Sequence, residues 1–395
     1  MILEFSVTNF LSYKEQMSLS FEATKDKTLE KYFCHNVNNK TKVLKLAVLM
    51  GTNASGKSNI LKAIDLLRSI VLTPKKMNET TGFIPFKFDP ETISLPGKFE
   101  IIFFKDNIKY HYFVKLNKNS ILEENLSFYP KGQPVEVYKR TNNDISFGTH
   151  KSVRLIKKDR DALDSNTVKT MTLLSALQVT KVNAPVLFSA FDWFLNNLMP
   201  IVKQNTNLKN WTVDLIEKDN HSKNLIVELL KKADFNIDSI EIDEESIQID
   251  DKLRNLVSNN TSLSNRLKDE ILEKGELSRV NLLMNHKTFS NDKESINDLP
   301  YDSESDGTKR FFELGGTLSK LILENHILSI DEIERSLHPD LVKHFINTFL
   351  NNSEESQLIV TSHNLDIISK PDEIRRDVIW FTEKKEDGST DLYSL

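Results

Sequence analysis

One cysteine, Cys34, leaves no partner for an internal disulfide and too few thiolates for a cysteine-rich zinc site. That scarcity fits a reducing compartment, and the cytoplasm is the expected location. No apolar run approaches the roughly 18 residues that a membrane span needs, so no membrane partner is expected. The opening MILEFSVTNF lacks a basic start, a long apolar core and a small-residue cleavage site, so it does not read as a secretory leader. Excess positive charge is missing too. A net charge of -5 gives no global field for nucleic acid, and any such contact would need a local patch. Glycine is sparse, with 11 in the chain, so glycines in a set pattern carry information.

What is present is ordinary for a globular protein: 39% hydrophobic and 28% charged residues, in 395 residues that suffice for two or three domains. ILEFSVTNFLSY and MSLSFEA alternate apolar and polar residues, as half-buried strands do. VLKLAVLM is a continuous apolar run, expected of a strand buried on both faces. Residues 98–147 read as an antiparallel meander with turns at Asp106-Asn107, Pro130–Gly132 and Asn142–Asp144. The stretch 151–300 reads as a mostly helical insertion, with the acidic segment 241–251 as a strand or loop that is a solvated face. After 300 an α/β pattern returns and ends in a hairpin turning at Asp387-Gly388. The expected architecture is therefore α/β. A lobe over 1–150 with a parallel core strand and an antiparallel β subdomain is followed by an insertion over 151–300 and a second lobe over 301–395.

GTNASGKS, Gly51–Ser58, matches G-x-x-x-x-G-K-[ST] between a buried strand and a helical pattern, the context this motif requires. The residues suit a phosphate. The loop Gly51, Thr52, Asn53, Ala54, Ser55, Gly56 curls so that its N–H groups converge on a β-phosphate. Lys57 reaches the β- and γ-phosphates, Ser58 offers its hydroxyl to Mg2+, and Asn59 sits in the first turn of the helix. ATP with Mg2+ is the expected ligand pair. Downstream, ILSIDE ends a buried strand in two acids. Asp331 is placed to hold the metal, and Glu332 to orient or deprotonate the attacking water. LIVTSHN brings His363 to the end of another strand, where a neutral imidazole would reach the γ-phosphate or the lytic water.

SESDGTKRFF, Ser303–Phe312, opens a helix at which Ser305 and the free N–H groups of Asp306, Gly307 and Thr308 form an anion site, or at which Ser305 or Asp306 is a plain cap. The order of P-loop, Ser-x-Gly helix start, hhhhDE strand and strand-terminal His resembles the ABC-type ATPases, including SMC, RecF and OLD-like proteins. NFLSY resembles the opening of SMC-like heads. The resemblance implies that Ser305 and Gly307 cap the γ-phosphate held by a facing chain, making a homodimer or higher oligomer with ATP sandwiched at the seam. Asp306 departs from the family glycine. ESDGTKR, DEIERSLHP, TSHN and RRDVIWFTEKKEDGSTDLYSL further resemble the AAA15/AAA_21 ATPases of anti-phage systems of the AbiL and PARIS type, over about 1–130 and 300–395. RSLHP fits a D-loop at the dimer seam. No Gln lies between Ser58 and Gln133, so the usual metal-sensing Gln is absent and slow hydrolysis is expected. That resemblance implies a sensor or regulatory ATPase that controls a separately encoded nuclease or toxin, with DNA or a phage product as trigger. Two alternatives stay open. One is a RecF/SMC-like ATPase acting on DNA, for which KSVRLIKKDR would supply basic charge; the other is a nucleotide switch without hydrolysis.

Overall fold

A computed structural model describes the chain except residues 39, 77, 234, 249, 251, 253, 257–275, 291–292 and 371. It divides into two compact units, Met1–Thr206 with Lys320–Leu395, and Asn207–Ser319.

In the first unit the apolar run Leu46–Met50 becomes the central strand of a five-stranded sheet, buried at every position. Its order is Ile327–Ile330, Gln357–Ser362, Leu46–Met50, Ile379–Lys384, Thr390–Ser394. The first four strands run parallel and the last is antiparallel. Parallel strands need crossover connections, which the helices Lys57–Leu72 and Pro339–Asn352 provide. The sheet therefore gathers the ends of three strands on one edge, those preceding Gly51, Asp331 and His363, where ligands of open parallel sheets bind.

A seven-stranded antiparallel sheet also belongs to this unit, from Asp144–Phe147 at one edge to Met17–Ser20 at the other. Its hairpin at Asp106-Asn107 has both residues at positive φ, 51° and 61°, as a two-residue turn matched to strand twist requires. The expected lobe boundary at 150/151 is not where the chain divides. Residues 151–206 belong to this unit, because Leu163, Leu173 and Trp193 are buried, with Trp193 stacked on Phe103 at 4.0 Å. Residues 198–202 also pair with the strand Ile327–Ile330: Val202 N–H donates to Ser329 O, and Asp331 N–H to Val202 O, both at 2.9 Å. An edge strand's unpaired N–H and C=O groups are thereby satisfied. In KSVRLIKKDR, Val153 and Leu155 are buried, while Lys151, Arg154, Lys157, Lys158 and Arg160 are exposed.

The second unit begins with helices Lys209–Lys218 and Asn220–Lys232, then departs from the helical expectation. Ile237–Gln248, Glu276–Ser290 and Lys293–Pro300 form a three-stranded antiparallel sheet. The segment 241–251, read as strand or loop, falls mostly in the first of these strands, and a register shift just before it puts the buried Ile237 and Ile240 three residues apart instead of two. Residues 249 and 251 of that segment lie outside the described residues. The helix Asp306–Leu323 follows. Gly316 lets it approach Thr212 so closely that a Cβ there would collide with the threonine side chain.

Candidate functional site

The loop after Leu46–Met50 turns through two glycines with left-handed φ, Gly51 and Gly56, and through Ala54 at 62°. It closes on itself: Ser55 N–H donates to Thr52 O at 3.2 Å, and Lys57 Nζ donates to Gly51 O at 2.7 Å and Thr52 O at 2.9 Å. Those two carbonyls hold the ammonium above the loop, as a phosphate-binding lysine is held before its ligand arrives. Burial lowers the Lys57 pKa, while Glu332, Glu334 and Asp331 pull it back up.

The loop is braced from outside by groups that sequence reasoning missed. Thr382, in the C-terminal hairpin, meets Ser55 Oγ at 2.5 Å. Thr390, from the same hairpin, reaches Ser55 O at 2.8 Å and Ser12 Oγ at 2.7 Å. Asn59 Nδ2 donates to Ser12 Oγ at 2.8 Å, and Tyr13 Oη donates to Gly56 O at 3.2 Å. A Cβ on Gly56 would strike Thr390, and one on Gly51 would strike Thr382, so both glycines are needed for close approach as well as for φ. The side chains of Ser55 and Asn59 serve this brace. The only sequence signal was the threonines' place in a C-terminal hairpin more than 300 residues from the loop. Thr390→Val removes a buried donor from the Ser55 carbonyl and should cost about 1–3 kcal/mol. A denaturation midpoint equal to wild type would remove the brace from the account.

Opposite the loop, Ser58 Oγ donates to Asp331 Oδ1 at 2.7 Å. Thr361 Oγ1 donates to the same oxygen at 2.7 Å and accepts Glu332 N–H at 2.8 Å. Thr361 follows from the parallel register that pairs Ile330 with Val360, which sets the next residues of each strand side by side. It holds both acids. Glu332 has φ 50°, a left-handed conformation uncommon for a side-chain-bearing residue. A hydroxyl and a carboxylate already in contact are the hard oxygen donors that Mg2+ accepts beside substrate phosphates. No cluster of three or more His, Cys, Asp or Glu suited to a metal occurs among the described residues.

His363 Nδ1 lies 2.8 Å from Glu334 Oε1, and its backbone N–H donates to the same oxygen at 2.8 Å. Glu334 is nearly buried, with 9% of its side chain exposed against 53% for His363. In the second unit, Ser305 Oγ accepts Thr308 N–H at 3.1 Å and Ser305 O accepts Lys309 N–H, so Ser305 caps the helix. Asp306 is exposed, and Gly307 is half-buried in the first turn.

The model of a protein family described as "AAA domain, putative AbiEii toxin, Type IV TA system", AAA_21, matches residues 46–369. The chain belongs to this family. As an AAA_21 member it carries the AAA domain of that description, and its first unit combines a parallel core sheet with an antiparallel one. Three solved structures are similar. The SMC head domain from Thermotoga maritima has 12% identity and a TM-score of 0.42, over 100% of this chain and 98% of that one. The SmcHead bound to the C-winged helix domain of ScpA has 14% identity and a TM-score of 0.47, over 100% and 98%. The Smc head domain with an extended coiled coil bound to the C-terminal domain of ScpA, derived from Pyrococcus furiosus, has 12% identity and a TM-score of 0.41, over 100% and 96%. No curated protein matches. Among the described residues, no helix of this AAA_21 chain is long and apolar enough to cross a membrane.

Proposed function

We propose that the protein binds and hydrolyses ATP as a dimer and acts as the sensor or regulatory subunit of an anti-phage system with a separate nuclease or toxin effector. The observation that carries the ATPase reading is one constellation: Lys57 on its loop, Ser58 against Asp331, and Thr361 bonding Asp331 and Glu332 together. Lys57 and the loop N–H groups bind the phosphates. Ser58 and Asp331 would hold Mg2+, which when bound neutralises charge on the β- and γ-phosphates. Glu332 takes or orients the water proton, and His363 completes the terminal-phosphate end of the site. Ser305, Asp306 and Gly307 offer a capped helix start to the ATP of a second copy. Support for the effector is the family description, which names a toxin and a toxin–antitoxin system.

A mixing experiment tests the shared site. Lys57→Ala spoils one half of each composite site and Ser305→Arg spoils the other. Each variant alone should be inactive. Mixed in equal amounts, half the dimers are mixed, and each of those has one intact site, so activity should recover to about a quarter of wild type. A mixture as inactive as its parts would end the two-chain reading. For the effector, co-expression with the products of flanking genes should yield a partner whose toxicity under phage challenge changes with Lys57→Ala. Toxicity independent of Lys57 would end the regulatory reading.

A further inference from the structure

The site contains a carboxylate that the roles above leave unused. Glu334 lies three residues after Asp331, in the turn beyond the acid-bearing strand. Its Oε1 receives two groups of one residue, the His363 backbone N–H and the imidazole Nδ1, each at 2.8 Å. Its Oε2 is buried without a hydrogen-bond partner among the described residues. Burying an acceptor unmatched is costly, so a plain surface ion pair does not account for the arrangement. Glu334 also acts electrostatically on Lys57, which places its charge within reach of the phosphate end of the site. An oxygen that already accepts the backbone N–H of His363 accepts at Nδ1 as well. Nδ1 is then the nitrogen that donates to Glu334, and the neutral tautomer selected by this contact is the one with its lone pair on Nε2.

We propose that Glu334 is a positioning residue that fixes the His363 imidazole with Nε2 as a hydrogen-bond acceptor, so that the ring orients the attacking water and does not donate to the terminal phosphate. This rests on the ATP-hydrolysing reading and decides between the two partners that a strand-terminal histidine could serve. Glu334 itself touches neither water nor phosphate; it sets the tautomer and direction of the ring that does. A buried carboxylate that holds a histidine by Nδ1 acts in this way in hydrolytic triads.

Two measurements test it, and they fail separately from the ATPase reading. The first is a nitrogen NMR spectrum of the nucleotide-free, histidine-labelled full chain, with His363→Asn identifying the signals. The expected result is an unprotonated Nε2 and a protonated Nδ1. A proton on Nε2, alone or with one on Nδ1, overturns the assignment whether or not the protein turns over ATP. The second is a double-mutant cycle at saturating ATP. Glu334→Gln should lower kcat on the order of 10-fold or more with KM little changed, because the bound phosphates do not touch it. In a His363→Ala background, Glu334→Gln should have no further effect. Additive losses, or wild-type kcat in Glu334→Gln, overturn the proposal. Glu334→Gln keeps the shape of the side chain, and a wild-type melting temperature separates positioning from damage to the fold. Absence of turnover in wild type would count against the ATPase reading alone, with the NMR result still deciding the tautomer.

Discussion

Glu332→Gln should reduce ATP hydrolysis by about 10²–10⁴-fold while leaving ATP affinity close to wild type. The substitution keeps the volume and the left-handed backbone of Glu332, and the N–H that donates to Thr361 is unaltered. It removes only the ability to accept a proton from water. Asp331, Ser58 and Lys57 keep their contacts, so the phosphate site stays intact. If ATP bridges two chains, stopping hydrolysis must also change assembly. Each bound nucleotide adds its affinity for the second chain to the dimer, and the equilibrium shifts with ATP concentration by mass action. Sedimentation of Glu332→Gln should therefore give a dimer or larger species with ATP and a smaller one without. Phosphate release at the wild-type rate would take Glu332 out of the reaction. Identical sedimentation with and without ATP, at concentrations that saturate the loop, would take nucleotide out of the assembly.

What the sequence made legible follows from the range of each signal. The loop Gly51–Ser58, the acids at Asp331 and Glu332, and the turns at Asp106-Asn107 and Asp387-Gly388 are local: spacing and φ preference within a few residues define them. Thr361, Glu334, Thr382 and Thr390 are ordinary residues in any local window. They matter because parallel register brings Thr361 beside Asp331, and because the last hairpin folds back on a loop more than 300 residues earlier. The departures have the same origin. Residues 198–202 look like the end of an amphipathic helix until the open edge of Ile327–Ile330 supplies backbone partners. In the second unit only 241–251 reads as strand or loop, because a bulge breaks the two-residue alternation just before it and the pairing of Glu276–Ser290 with Lys293–Pro300 is set by topology. Local chemistry was readable, and partners fixed by topology were not.

Glu124→Ala should destabilise the protein by about 3–5 kcal/mol, enough to leave many domains largely unfolded at 37 °C. Glu124 is fully buried, and its carboxylate is the hub of a network that the ATPase chemistry does not use. It accepts Tyr112 Oη at 2.9 Å, Tyr138 Oη at 2.6 Å and Leu173 N–H at 2.9 Å, with Arg140 Nη1 at 3.7 Å. Burial and the neighbouring carboxylate push both phenols well above their ordinary pKa, so they stay neutral donors. Truncation would leave two hydroxyls and one amide short of their acceptor, and a buried guanidinium, still bonded to the carbonyls of Asn142, Val168 and Met171, without its counter-charge. Glu124→Gln should cost less, because its oxygen still accepts a phenol while its amide opposes the Leu173 N–H. Replacing the hub and its phenols together, with Glu124→Leu, Tyr112→Phe and Tyr138→Phe, should cost less than the alanine change once Arg140→Met removes the charge. The damage would also reach the far end of the helix that follows the Gly51–Ser58 loop. Leu173 follows Thr172, whose hydroxyl donates to Ile70 O at 3.0 Å, near the end of the helix that begins at Lys57. Chemical denaturation of the four proteins orders these costs, and an alanine variant within about 1 kcal/mol of wild type would show that the network contributes little net stability.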